Sequence, residues 1–300
     1  MTREHPHTPP ARLPALLCVV ALWSFNPAPA DDSDRIRPYA ENPHYWQYKG
    51  QPVLLLGGSD QDNLFNHPDI APDGLEAHLD LLRSVGGNTI RNTMSSRDAG
   101  NLFAFHRDRD TGLYDLDRFN DAYWQRLDNL LTLAKARDII VQIELWDPHD
   151  YYRPVGDLGG WAQQPFNPAN NVNYTFAESG MIETIDWSAV HDPDQDHPFF
   201  QTAPAERDLA LVRGYQERFV DKVLEVALPY PNVLYCVSNE SNDSLHWSDN
   251  WAVLAGYQLL WLEGVALAND NQLIALGDGN VNTSGSPFYH GGLVGAEYRW

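Results

Sequence analysis

The sequence predicts an α/β fold with a parallel sheet, closed as a (β/α)8 TIM-type barrel. Three observations predict it. Short apolar runs alternate with longer stretches of helical period, the pattern of parallel strands joined by crossover helices. Charged and amide residues gather where the apolar runs stop, as they do on the active face of a barrel. The turn after the first run, Gly57-Gly58-Ser59-Asp60, lacks the G-x-G-x-x-G spacing of the open dinucleotide-binding sheet, and its acidic neighbours would repel a pyrophosphate.

The elements follow in order. Pro52 to Leu56 reads as the first strand and Leu75 to Val85 as the helix after it, with Leu75, His78, Leu79, Leu82 and Val85 on one stripe. Asn88-Thr89-Ile90-Arg91 is the second strand. Asp115 to Asp138 holds a helix with Phe119, Tyr123, Leu127, Leu130, Leu131 and Ala134 at helical spacing, and it feeds the clearest strand, Ile139 to Trp146. Arg207 to Val226, with Leu211, Tyr215, Phe219, Val223 and Val226, leads to a fourth strand at Asn232 to Val237. Trp251 to Leu267 is a further helix, followed by a fifth strand at Gln272 to Leu276.

Gly277 to Trp300 leaves room for at most one more strand, whereas a closed barrel needs about eight. The expectation is a barrel of five to six βα units whose last strands lie beyond Trp300, with strands hidden in apparent loops as the other reading. Asp147 to Ala205 shows no convincing helix or strand. Its aromatic residues, Tyr151, Tyr152, Trp161, Phe166, Tyr174, Phe176, Trp187, Phe199 and Phe200, argue for an ordered loop over the barrel mouth rather than a solvated tail.

Residues 1–30 read as a cleavable signal peptide: Arg3 and Arg12 precede the apolar run Leu13 to Phe25, and Ala28-Pro29-Ala30 offers a small-x-small cut site. That makes the protein secreted or periplasmic, with residues 31–300 as one barrel domain. Elsewhere no apolar stretch is long enough to span a bilayer. The formal charge is −21, and removing Arg3, Arg12 and Glu4 makes it one unit more negative. Such a surface repels nucleic acid and anionic membranes and favours neutral partners, or anionic ones only through a local basic pocket. Cys236 then stands alone in an apolar run and reads as a core residue.

Candidate chemistry sits at four strand ends: Asp60 and Asp62; Arg91 and Asn92; Glu144, Trp146 and Asp147; Asn239 and Glu240. Alternation along the third strand places Ile140, Gln142, Glu144 and Trp146 on one face and Ile139, Val141, Ile143 and Leu145 on the other. The first face turns polar toward the strand's end, as a strand rising into a pocket should. The competing reading is that Gln142 and Glu144 satisfy each other or Arg91 inside the barrel. Two carboxyl groups flanking a bond suit glycoside hydrolysis, one as acid and the other as nucleophile or base. Glu240 follows an apolar strand under an aromatic loop, where desolvation raises a carboxyl pKa toward that of a useful acid. Its alternative is a helix-start residue in the cap-rich run Ser238 to Ser244. Trp146, Trp161 and Trp187 offer flat faces for sugar rings, or pack as loop core.

Asn239-Glu240 after a strand, with Arg91 at the end of another, resembles the clan-A glycoside hydrolases, which are (β/α)-barrels. The resemblance runs from about Pro52 to Leu276. It implies that Glu240 is the acid/base of a retaining two-carboxylate glycosidase, that Asn239 contacts the sugar 2-hydroxyl, and that Arg91 orients the nucleophile. Glu144, Trp146, Asp147 and Asp60 then complete the expected carbohydrate-binding residues. The sequence departs from that family in having no assignable seventh-strand Glu, and in placing Glu144-Leu145-Trp146-Asp147 where a His is often found. The nucleophile is expected beyond Trp300, or else at Glu144, Asp147 or Glu297. A non-catalytic carbohydrate-binding or degenerate barrel is the alternative. A polysaccharide lyase ranks third, because basic residues to neutralise a uronate are sparse.

No cofactor is expected. Asp192-Pro193-Asp194-Gln195-Asp196 lacks the Gly and distal Glu of a calcium loop. The histidines form no H-E-x-x-H zinc motif, and no G-x-S-x-G nucleophile elbow is present.

Overall fold

The computed structural model describes residues 34–42, 45–59, 61–70, 73–96, 98–147, 149–152, 160–184, 197–202, 204, 207–238, 267–269 and 294–296. An antiparallel sheet comes first, built from β1 (Arg37–Pro38), β2 (Trp46–Tyr48) and β3 (Gln51–Val53). Lys49 and Gly50, both at positive φ, make the tight turn between β2 and β3, the conformation whose twist matches a hairpin. Helix α1 (Leu75–Ser84) leads to β4 (Thr89–Thr93). A hairpin of β5 (Phe105–Arg107) and β6 (Tyr114–Phe119) precedes α2 (Asp121–Ala136) and β7 (Ile140–Trp146). Two short helices, α3 (His149–Tyr152) and α4 (Phe176–Ser179), lie in the excursion before α5 (Ala210–Ala227). The chain then forms β8 (Val233–Ser238), β9 (Leu267–Asn269) and β10 (Val294–Ala296).

The main sheet runs β10-β9-β8-β7-β4. The β4, β7, β8 and β9 pairings are parallel and β10 joins antiparallel. Gly57 adds a parallel bridge to Thr89 at the far edge, and the Asn88 amide nitrogen donates to Leu56 O at 2.7 Å. The first expected strand is therefore split, its start paired in the hairpin and its end hydrogen-bonded to Asn88 just before the Gly57 bridge. Among the described residues the sheet does not close.

Helices cover one face of the sheet. Ile90, Val141, Ile143, Leu145, Val233 and Tyr235 pack there with Leu75, Leu79, Leu127, Leu130, Leu131, Val220, Val223 and Leu224 in one continuous cluster. Burying each such aliphatic side chain contributes about 1.5–3 kcal/mol. Asn120 starts α2 by accepting a hydrogen bond from the Ala122 amide, a cap that contributes about 1 kcal/mol. On the other face, Ile140 and Leu234 meet Ile36, Trp46 and Tyr48 of the N-terminal segment. That segment is anchored where the Ile36 amide donates to Pro231 O at 2.8 Å and Arg35 Nη2 donates to Leu228 O at 2.7 Å. The antiparallel hairpin thus plugs the N-terminal end of the inner face and leaves the opposite end for polar side chains.

Several expectations shift. Phe119 closes β6 rather than joining the α2 stripe, because Asn120 caps the helix after it. Val212, not Leu211, faces the core from α5, and Leu211 is exposed. Val85 stands 75% exposed beyond the end of α1. Leu267 opens β9 instead of ending a helix. The rest of that expected helix and the strand at Gln272 to Leu276 lie outside the described residues, as do residues 1–30.

The excursion after β7 is ordered by its aromatics. Tyr151, Trp161, Phe166, Tyr174, Phe199 and Phe200 are all buried. Tyr151 stacks on Phe199 with ring centroids 4.3 Å apart, and the Trp161 Nε1 donates to Ile182 O at 2.6 Å.

Candidate functional site

Parallel register carries the site. Arg91 lies beside Gln142, and Thr93 beside Glu144, across β4 and β7. Gln142 lies beside Leu234, and Glu144 beside Cys236, across β7 and β8. Register partners in a sheet project from the same face, so Arg91, Gln142 and Glu144 share the inner face with Ile140 and Leu234 beneath them. The inner side of β7 therefore passes from apolar to polar along its length, as its alternation predicts.

Glu144 is fully buried. Arg91 Nε donates to its Oε1 in an ion pair, and Gln142 Nε2 donates to the same oxygen at 3.1 Å. The Arg91 side chain is 43% exposed. One end of the pair is thus sealed in the sheet and the other opens toward solvent. A buried carboxylate is tolerated when paired with a cation and hydrogen-bonded, and both conditions hold here.

Asp147 follows β7 and is buried. Trp146 leaves the alternation: its ring packs against Phe219, Phe199 and Phe166 with centroids 5.0, 5.4 and 6.1 Å away. At 3% exposure it presents no open face to a sugar ring, and Trp161 at 2% is packed in the same way. Trp187 lies outside the described residues. Asn92 points away from the site and ties two segments together, its Oδ1 accepting from the Leu64 amide at 2.9 Å and its Nδ2 donating to Thr93 O at 2.9 Å. The Asp62 carbonyl accepts from the Thr93 amide at 2.7 Å.

β8 ends at Ser238, in register with Trp146, so the expected Asn239-Glu240 pair follows directly on a strand end. Glu240, Asn239, Asp60, Glu297 and the acidic run Asp192 to Asp196 lie outside the described residues. The structure brings together Arg91, Gln142 and Glu144.

One carboxylate was not singled out from sequence. Asp150 in α3 is buried and accepts hydrogen bonds from Ser95 Oγ at 2.6 Å and the Ser96 amide at 2.9 Å. With Asp147, Trp146, Tyr151 and Phe166 it borders a cavity of about 30 Å³, enough for one water molecule. The available signal was its place just after the clearest strand. His197 is buried and neutral, its pKa lowered to about 3 by desolvation, and its Nδ1 accepts from the Phe199 amide at 3.1 Å. Among the described residues no group of three or more His, Cys, Asp or Glu is placed to hold a metal ion, and no helix is long and apolar enough to cross a membrane.

No protein-family profile matches the sequence, and no curated protein does. Solved structures do. A mutant family 5 glycoside hydrolase mannosidase from Rhizomucor miehei, in complex with mannosyl-fructose, is similar with a TM-score of 0.50 and 12% identity, over 81% of this chain and 57% of that one. An endo-1,4-β-mannanase from the same organism gives 0.45 and 13%, over 78% and 61%. A family 5 glycoside hydrolase from Bacteroides vulgatus gives 0.45 and 13%, over 79% and 39%. The chain spans less than two thirds of the length of each. The mannosidase likeness, with the parallel strands and outer helices described above, supports an α/β fold of TIM-barrel type.

Proposed function

We propose that the protein is a glycoside hydrolase that cleaves O-glycosidic bonds of an oligosaccharide or polysaccharide by a retaining two-carboxylate route. Glu240 is its acid/base and Asn239 a contact to the sugar. The single observation that carries this reading is the Arg91–Glu144 ion pair, set on the inner face of a parallel sheet above an apolar plug. An arginine held at that place can orient a carboxylate or a sugar hydroxyl near the strand ends. The end of β8 at Ser238, immediately before Asn239-Glu240, supports putting the acid on the same rim. The fold likeness to a family 5 mannosidase makes mannosides the first substrates to try.

In this reading Arg91 and Asp60 line the carbohydrate site, while the buried Glu144, Trp146 and Asp147 support it from within the fold. Export by the N-terminal segment belongs to the same proposal. The test is turnover of a panel of aryl glycosides and oligosaccharides by the full gene product and by Glu240→Gln. The expected result is hydrolysis by the wild type and a loss of about 10²-fold or more in the variant. Full activity in Glu240→Gln removes that residue from the mechanism. Sugar affinity without turnover in the wild type replaces the enzyme reading with a binding one.

A further inference from the structure

We propose that Glu144 is a positioning residue rather than a catalytic carboxylate: it fixes the guanidinium plane of Arg91 at the mouth of the sheet and acts on substrate only through Arg91. The inference rests on the glycosidase reading of the site and assigns a role within it.

Accessibility separates the two acidic roles. A nucleophile or acid must touch the sugar, yet Glu144 is fully buried, whereas the Arg91 side chain is 43% exposed. The two strands set this difference. Arg91 and Gln142 are register partners, and Glu144 is one inner-face position further along β7 beside Thr93 and Cys236. Both flanking side chains are short, so the carboxylate lies in the sheet surface and the longer arginine reaches past it.

The atom that Glu144 holds matters. Nε is the guanidinium nitrogen nearest the backbone, and a hydrogen bond there fixes the plane from which the two terminal nitrogens project. Gln142 Nε2 donates to the same carboxylate oxygen at 3.1 Å, so the acceptor is itself held in place. A lysine at position 91 would keep the charge but offer no plane to fix.

Two measurements test the assignment. In 15N-edited NMR of the arginine side chains, the Arg91 Nε–H is expected to exchange with water more slowly than exposed arginines in the wild type, and at their rate in Glu144→Gln. An Arg91 Nε–H that exchanges as an exposed arginine does in the wild type overturns the clamp, whether or not the protein is active. In steady-state kinetics, Glu144→Gln is expected to lower kcat by about 10²-fold with little change in KM, since misplacement of a positioning group acts on the reacting geometry.

The Glu144→Gln/Arg91→Lys double variant is expected to be no slower than Arg91→Lys alone. Additive losses, or restoration of Glu144→Ala by azide, would show that Glu144 touches the reacting centre and overturn the proposal. Absence of wild-type turnover on every glycoside counts against the glycosidase reading instead, and the exchange measurement then decides the clamp alone.

Discussion

Asp150 accepts the Ser95 hydroxyl at 2.6 Å and the Ser96 amide at 2.9 Å, joining the segment after β7 to the segment after β4. Gln164 extends the link by donating Nε2 to Asp150 O at 2.9 Å, and Asn63 donates to Ser95 O on the other side. The loops that border the strand ends are therefore tied by two hydrogen bonds to the buried Asp150 carboxylate and two to the backbone carbonyls of Asp150 and Ser95. Replacing it with Ala leaves a buried hydroxyl and a buried amide without acceptors. Asp150→Ala is expected to destabilise the fold by about 2–4 kcal/mol, because hydrogen bonds to charged acceptors and unsatisfied donors are both costly. Asp150→Asn keeps one acceptor and should lose roughly half as much. Urea unfolding of the two variants checks the order, and equal loss in both would reject the hydrogen-bond account.

Gly57 carries a parallel bridge between the first segment and β4. Its φ is +154°, and a Cβ built there would stand 2.2 Å from Thr89 O, a backbone atom that cannot give way without breaking the bridge. Gly57→Ala is expected to cost more than about 2 kcal/mol. The neighbouring Gly58 has open space around its Cβ position, so Gly58→Ala should change stability by less than about 0.5 kcal/mol. Similar urea midpoints for the two variants would show that the edge contact does not form.

Which features were legible in sequence follows from the strength of each period. β7 could be read because its outer residues Val141, Ile143 and Leu145 are all apolar while Gln142 and Glu144 break the inner face. The same alternation brought out the Arg91–Glu144 neighbourhood. The β5–β6 hairpin escaped because its strands are short and carry His106, Arg107, Asp115 and Asp117. Phe119 also falls by chance at helical spacing from Tyr123. On α5, Leu211 and Val212 are adjacent apolar residues, and composition could not say which one faces inward. Asp150 was hidden because its partners, Ser95 and Ser96, are distant in sequence and neutral.

His197 gives the fold a definite acid response. Burial holds its pKa near 3, against an ordinary value of 6.5. Between these values the unfolded chain binds a proton that the folded chain does not, so stability rises with pH and falls as the solution is acidified. This residue contributes a slope of up to about 1.4 kcal/mol per pH unit in that window. His197→Asn retains an acceptor for the Phe199 amide and removes the titrating ring. The variant is expected to show a shallower loss of urea midpoint between pH 6.5 and pH 4 than the wild type. Parallel profiles would mean that the ring is charged or solvated in the folded protein.

Trp146 separates packing from recognition at the end of β7. Its ring is enclosed by Phe166, Phe199 and Phe219, and Phe219 belongs to α5, so the residue fastens strand, excursion and helix together. Trp146→Ala empties this junction and is expected to cost about 3–5 kcal/mol, whereas Trp146→Phe keeps an aromatic ring and should cost about half of that. If Trp146 instead contacted sugar, Trp146→Phe would raise KM while leaving the unfolding midpoint near that of the wild type. Thermal or urea unfolding, measured beside KM on whichever glycoside is turned over, distinguishes the two outcomes. The packing account requires the midpoint to fall and KM to hold, because a ring sealed among three phenylalanines can influence a substrate only through the stability of the rim it supports.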